Sequence, residues 1–192
     1  MKSILLLFIA FTFTSAISDI SMLNIKIHDS KNVLEKIKLS VISQEENIVK
    51  YETKNKNAFS VTTDDDKVVY MENDWLQKEE GRKPLYTDFT FGKTTLRDVR
   101  NKFGTNGFTF KSRQAFATDD DLIEFNCFEF DSSNDEVLVV ITKVALNEEN
   151  ITEENVADKL KLDALIIADK EYLNKTWGDE KIFDSNYKKI KL

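Results

Sequence analysis

The chain offers few residues whose chemistry could support catalysis. His28 is its only histidine and Cys127 its only cysteine. One histidine cannot build a metal site that needs two or three histidine ligands. A nucleophilic thiol needs a positive neighbourhood, which the residues around Cys127 do not supply. We therefore predict a structural role for His28 at a turn, and a Cys127 thiol that is buried as a small apolar group.

Two aspartate triplets are the next candidates, because carboxylates can bind calcium. They occupy residues 64–66 and 119–121. A calcium loop needs alternating oxygen ligands, a glycine at the bend and a distant glutamate, and neither triplet has this spacing. We interpret both triplets as surface turns between strands.

The string Gly92-Lys93-Thr94-Thr95 matches the end of a phosphate-binding loop. Such a loop needs a glycine five positions before its last glycine, and Thr87 stands there. The sequence therefore predicts no catalytic residue, no metal site and no cofactor.

The N-terminus has the pattern of a secretion signal. Lys2 is followed by a ten-residue apolar run over 4–13 and then by small residues. The run is shorter than the roughly 20 residues that a membrane-spanning helix needs. We predict a signal peptide over 1–18, cleaved after Ala16 or Ser18, and a periplasmic or secreted protein. Without a cysteine near the cleavage site, the chain cannot carry a bacterial N-terminal lipid anchor.

The charge of the chain narrows its partners. The formal net charge is −7 at pH 7, and loss of Lys2 with the signal would make it −8. This sign disfavours nucleic acid and anionic lipid, and it suits either solubility or a basic protein partner. No later segment is apolar enough to predict a membrane span.

A charged stretch containing the only proline, residues 77–88, is predicted to be a linker between two similar parts. Residues 19–76 and 89–146 each contain a helical pattern followed by strand-like runs and an Asp-rich turn. Residues 147–192 form a C-terminal extension. We predict an α+β fold of tandem helix-plus-antiparallel-sheet units with a C-terminal α/β extension.

Individual elements follow from periodicity and capping residues. Apolar positions 33, 34, 37 and 41 predict a helix that begins at Asp29 or Ser30. A second helix is predicted between a Thr94 cap and Gly104, and a last one between Asp169 and Trp177, ended by Gly178. Predicted strands occupy 48–53, 58–62, 67–71, 108–112, 122–130 and 137–146, while 164–168 is a buried strand or helical turn.

Phenylalanine is concentrated in the second part of the chain. Its alternation there places rings on one face of a strand. From Ile123 to Phe130 the parity of the apolar residues changes, which indicates a bulge near Cys127 or a strand covered on both faces. We interpret these rings as core, with a groove for a hydrophobic ligand or a partner strand as the alternative. The candidate binding residues are Phe89, Phe91, Phe108, Phe110, Phe128 and Phe130.

Residues 91–104, from Phe91-Gly92-Lys93-Thr94-Thr95 to Phe103-Gly104, resemble the helical opening of SmpA/OmlA-type small outer-membrane-assembly lipoprotein domains. Tandem copies are similar in architecture to the secreted β-lactamase inhibitor proteins. The resemblance implies a curved sheet with helices on one side and an open face for a protein partner. The lipoprotein members carry an acylated cysteine, which this chain lacks, and no functional residue carries over.

The leading hypothesis is an exported, non-enzymatic protein that binds a protein partner in the bacterial envelope, with an inhibitor or immunity protein as one specific form. The alternatives are a hydrophobic-ligand carrier that uses the phenylalanine-rich face and an envelope hydrolase that uses scattered carboxylates.

Overall fold

Ten strands dominate the computed structural model, which describes residues 20–76 and 81–191. Three short α-helices, α1 to α3, span Leu96–Phe103, Val156–Lys159 and Lys170–Trp177, and 3₁₀ helices span Lys31–Lys36 and Lys111–Arg113. The strands, β1 to β10, are Ser40–Gln44, Ile48–Glu52, Ala58–Asp64, Lys67–Asp74, Phe108–Phe110, Phe116–Ala117, Asp121–Glu129, Glu136–Ala145, Lys161–Asp169 and Lys181–Phe183.

All ten strands belong to one antiparallel sheet in the order β1-β2-β3-β4-β9-β8-β7-β5-β10, and β6 pairs with β7 beside β5. The predicted α+β class with tandem helix-plus-sheet units is therefore wrong. β9, which comes from the predicted C-terminal extension, lies between β4 and β8 in the middle of the sheet. The two parts share one sheet because β9 pairs with both of them, instead of packing beside two finished units.

Both faces of the sheet are covered, and alternate residues of each central strand enter different cores. Leu138, Val140 and Phe128 join the larger core, which also contains Val99 and Phe103 of α1. Val139 and Cys127 join a smaller core under α3. β7 and β8 pair without a register shift, so the parity change near Cys127 reflects a strand covered on both faces rather than a bulge.

Capping residues explain where α1 and α3 begin and end. Thr95 caps α1 with a reciprocal bond to Asp98, and Gly104 ends it in the left-handed conformation at φ 64°. Asp169 accepts a bond from the Tyr172 amide and caps α3, as predicted. The α1 cap is therefore one residue later than the predicted Thr94.

The first predicted helix is much shorter than its apolar pattern. Ser30 caps it as expected, but it is a 3₁₀ helix that ends at Lys36, and Val41 lies in β1 instead. The predicted signal peptide and residues 77–80 of the predicted linker lie outside the described residues. Among the residues that are described, no helix combines the length and the apolar character that crossing a membrane requires.

Candidate functional site: a notch in the sheet edge

The outer edge of β7 is interrupted near its middle. Phe108 of β5 lies opposite Cys127, and Phe116 of β6 lies opposite Ile123. The chain therefore takes eight residue steps from Phe108 to Phe116, whereas only four steps separate Ile123 from Cys127 on β7. The extra length lies between β5 and β6, in residues 111–115, and we call these residues the arch.

A cavity of about 490 Å³ opens between the arch and β7, and we call it the notch. It is lined by backbone, charged, amide and aromatic groups from the sheet edge, its neighbouring loops and α1. Its lining includes Arg100, Gln114, Ala115, Glu124, Phe125 and Phe183.

Several bonds hold the arch away from β7. The Lys111 amide donates to the Glu180 carbonyl at 2.9 Å, and the Ser112 hydroxyl donates to the Trp177 carbonyl. The Arg113 guanidinium lies 5.3 Å from the Trp177 ring centroid, which is within cation–π range. The arch is thus attached by hydrogen bonds to α3 and to the segment before β10, and it reaches β7 through Arg113, whose guanidinium also lies 5.9 Å from the Phe125 ring centroid.

Gly107 allows the chain to approach β7 closely just before the arch. Its φ is +73°, and an added Cβ would lie 2.2 Å from the Cys127 carbonyl oxygen. That distance is too short for any side chain, so only glycine fits at this position. The Thr105 hydroxyl accepts a hydrogen bond from the Gly107 amide at 3.0 Å, which fixes the turn.

α1 supplies the cation at the base of the notch. Leu96, Val99 and Phe103 form the buried side of α1. This orientation of the helix places Arg100 beside the edge of β7. Its Nη2 donates to Glu124 Oε1 at 2.8 Å and to Asn126 Oδ1 at 2.9 Å.

The second carboxylate of the notch, Asp184, remains ionised near neutral pH. The Asn186 amide and then the Asn106 side chain hydrogen-bond to it and lower its pKa. The lining therefore carries two carboxylates, Glu124 and Asp184, against one guanidinium.

An aromatic series runs along the same edge of the sheet. Neighbouring ring centroids are 4.7 to 6.1 Å apart, which suits edge-to-face and offset contacts. In order, the rings are Phe116, Phe125, Trp177, Phe110, Phe108, Phe183 and Tyr187. The series passes through the smaller core and reaches solvent at Phe116, which is 42% exposed, and at Phe183, which is 49% exposed. Ile182, next to Phe183, is 48% exposed.

The six phenylalanines predicted as a candidate binding face are all buried. They also lie on different faces of the sheet. Phe108 and Phe110 belong to the smaller core, whereas the larger core contains Phe89, Phe91, Phe128 and Phe130. These residues therefore form the interior of the protein, and of the six only Phe108 also lines the notch.

The remaining sequence candidates lie apart from the notch. His28 Nε2 is 3.3 Å from Asp169 Oδ2, at the N-terminus of α3. Burial raises the pKa of the Cys127 thiol well above its ordinary value, which makes it a poor nucleophile. Both aspartate triplets lie at strand-connecting turns, and the described residues contain no cluster of His, Cys, Asp or Glu suited to a metal ion.

A polar cluster on the sheet face was not anticipated from the sequence. The Tyr70 hydroxyl donates to Glu72 Oε2 at 2.8 Å, and Lys50 Nζ is 3.2 Å from Asp74 Oδ2. Burial, followed by the neighbouring Asp74, raises the pKa of Glu72 to about 8. The sequence did contain a signal for this cluster, because Tyr70, Glu72 and Asp74 are spaced two residues apart and such residues share one face of a strand.

Comparison with models of known protein families, with curated proteins and with solved structures finds no match to this chain. The resemblance to SmpA/OmlA-type domains accordingly stays a prediction. The function has to be inferred from the geometry of the notch and its rim.

Proposed function

We propose that this is an exported, non-enzymatic protein that binds a protein partner in the bacterial envelope through the edge of the sheet that contains the notch. An inhibitor or immunity protein is one form of this function. The observation that carries the proposal is that exposed Ile182 and Phe183 line a cavity, while exposed Phe116 stacks on Phe125 of the same lining.

The rim has the composition of an interaction surface. Aromatic side chains are enriched at protein interfaces, where they anchor binding, and isolated exposed apolar residues are common elsewhere. Phe183 is held by Phe108 at 5.2 Å and Tyr187 at 4.7 Å, so a partner would meet a preorganised ring. Preorganisation reduces the entropy lost on association.

The acidic character of the chain favours a basic partner. The net charge of −7, or −8 after loss of Lys2 with the signal, would accelerate encounter with a basic protein at low salt, while apolar contacts at the rim would persist at high salt. A carrier of hydrophobic ligands lacks comparable support, because the phenylalanines proposed as its pocket wall form the core.

Capture of a partner with an edge-specific control tests this function. The chain is exported from its own signal with a C-terminal tag and is used to capture proteins from envelope extract at low and high salt. Captured proteins are identified by mass spectrometry, and the affinity is then measured with each purified protein. We expect Ile182→Ser with Phe183→Ser to weaken binding at least about tenfold, as loss of anchor residues does.

The matched control is Val41→Ser with Ile42→Ser on β1, at the opposite edge, where the side chains are 55% and 48% exposed. This control should bind like the wild type. Equal binding by both double variants, or a purified chain that binds no identified protein, would contradict the proposed function.

A further inference from the structure

On the outer side of β7 the strand pairing skips Glu124, Phe125 and Asn126, and of these three only Phe125 directs its peptide groups away from β8. The Thr118 amide bonds to the Asp121 carbonyl, so the alternation of an antiparallel ladder directs the peptide groups of Ile123, Phe125 and Cys127 outward. Ile123 pairs with Phe116, and Cys127 pairs with Phe108. Between them Phe125 has no paired residue in the part of the sheet that the structure describes, and it lines the notch.

An extended peptide is the occupant that matches this gap. A peptide residue brings one N–H donor and one C=O acceptor with the spacing of a strand pair, about 4.8 Å away. The four-step interval between Ile123 and Cys127 leaves room for one such pairing, with the arch displaced to the side. A lipid chain fits poorly, because it would remove water from Arg100 and Glu124 without replacing its hydrogen bonds.

The lining also indicates the side chains of the occupant. Phe183 and Ile182 offer an exposed apolar contact at the mouth, and Asp184 beside them is an ionised carboxylate. The two carboxylates of the lining exceed its one guanidinium, which already bonds to Glu124. An apolar residue next to a lysine or arginine would complement both features.

We infer that the notch binds a short extended segment of the partner polypeptide by strand addition, with one of its residues paired to Phe125. An apolar side chain of the segment packs on Phe183, and a cationic one lies at Asp184. This inference rests on the proposed function and specifies how the partner is recognised.

A display experiment tests the mode of binding independently of any natural partner. A phage-displayed library of short linear peptides is selected against the full exported chain. The selected peptides are then measured on two variants. Ala115→Trp fills the notch from an exposed position on its lining, and Ala117→Trp adds the same ring at an exposed position on β6 outside it. We expect Ala115→Trp, but not Ala117→Trp, to weaken peptide binding at least about tenfold.

The pairing itself is tested on the peptide backbone. Methylating each peptide nitrogen in turn should weaken binding at least about tenfold at one position, where the N–H bonds to Phe125, since the methyl group removes that donor. Hydrogen exchange of the Phe125 amide should slow on binding. The inference would be overturned if no selected peptide lost affinity for the Ala115→Trp variant. It would also be overturned if the selected peptides tolerated methylation at every position.

The outcomes of the two experiments are distinct. Partner binding that depends on Ile182 and Phe183, together with peptides that tolerate every methylation, would leave the proposed function standing and remove strand addition. Peptides that pair with Phe125 in a chain that binds no identified protein would instead contradict the proposed function.

Discussion

The two edges of the sheet expose similar amounts of apolar side chain but differ in what surrounds it. β1 exposes Val41 and Ile42, and its pairing with β2 contains a register shift between Val41 and Ser43. Irregular edges of this kind discourage pairing with other chains. At the other edge, exposed Ile182 and Phe183 line a cavity, and exposed Phe116 stacks on Phe125, whose outward peptide groups have no paired residue among the described strands. Exposure alone therefore does not define the candidate site; the interrupted ladder does.

The largest expected difference between the edges is in folding stability. Phe110 is fully buried among Phe108 and Trp177, whereas Ile42 is exposed on β1. Phe110→Ala should lower the free energy of unfolding by about 3–5 kcal/mol, because it opens a cavity in the smaller core. Ile42→Ala should change it by less than about 0.5 kcal/mol. Urea denaturation of both variants measures these changes in the free energy of unfolding. Similar losses of stability in the two variants would contradict the expected difference between the edges.

Two glutamates, one in each half of the sheet, have pKa values that are shifted in opposite directions, and Glu129 is the one in the half that carries the notch. Burial alone would raise its pKa, but hydrogen bonds from Lys170 at 2.5 Å and Tyr187 at 2.5 Å outweigh burial and lower it. A lowered pKa contributes stability above the ordinary glutamate value that is lost as the pH falls through the folded value. Glu129→Gln should therefore cost about 2 kcal/mol at pH 7 and much less near pH 3.

Denaturation of wild type and Glu129→Gln across this pH range checks the sign. Exposed Glu180→Gln is the control, because Glu180 forms only a surface ion pair with Lys111. A cost of Glu129→Gln that stays constant down to pH 3 would show that folding does not lower the pKa of this carboxyl group.

In the half nearer β1, the raised pKa of Glu72 predicts that the stability of the fold depends on pH in the opposite sense. Its neighbours are Asp74 and Tyr70 on its own strand and Lys50 on β2. A raised pKa contributes stability that is present below the ordinary value, about 4.5, and is lost as the pH rises to about 8.

Glu72→Gln keeps a neutral hydrogen-bonding group, so it should stabilise the protein by about 2 kcal/mol at pH 8 and have little effect at pH 4. Thermal or urea unfolding at both pH values measures the change, with exposed Glu46→Gln as the control. Destabilisation of the Glu72 variant at pH 8 would show that the Glu72 charge is favourable there.

The smallest expected effect is the same at both edges. Lys111 pairs with Glu180 beside β10 at 2.7 Å, and Lys56 pairs with Glu52 on β2, next to β1, at 2.5 Å. Both lysines and Glu180 are more than half exposed and Glu52 is one-third exposed, and ion pairs this accessible to solvent contribute little. Lys111→Gln and Lys56→Gln should each lower the free energy of unfolding by less than about 0.5 kcal/mol at moderate salt. A larger loss at one edge only would show that its ion pair is part of a stronger network.

Local elements were predictable where a few adjacent residues decide the structure. Gly104 ends α1, Asp169 caps α3 and Gly178 ends it, because capping depends on one side chain or one left-handed residue. Strands β2, β3 and β4 followed from strand-like runs, the last two of them separated by an Asp-rich turn. The first helix was predicted too long, because apolar spacing at 33, 34, 37 and 41 fits both a helix and a turn leading into a strand.

The candidate site was not predictable from neighbouring residues. Arg100, Glu124 and Phe183 come from a helix, a central stretch of strand and the C-terminal segment, and only their contacts bring them together. The phenylalanines that alternate in the sequence lie in the core, as apolar alternation usually indicates. The exposed pair Ile182-Phe183 in a charged segment was the one local signal for the rim.

The sequence by itself determined the caps, the turns, the strand-like runs and the burial of the phenylalanines that alternate in the second part of the chain, because these depend on interactions across a few positions. The tertiary structure alone decided that β9 completes one continuous sheet and that eight residue steps face four at the edge of β7. Both features depend on pairing between residues far apart in the chain. The notch exists for the same reason, since it lies where the longer segment 108–116 runs beside the shorter stretch 123–127 of β7.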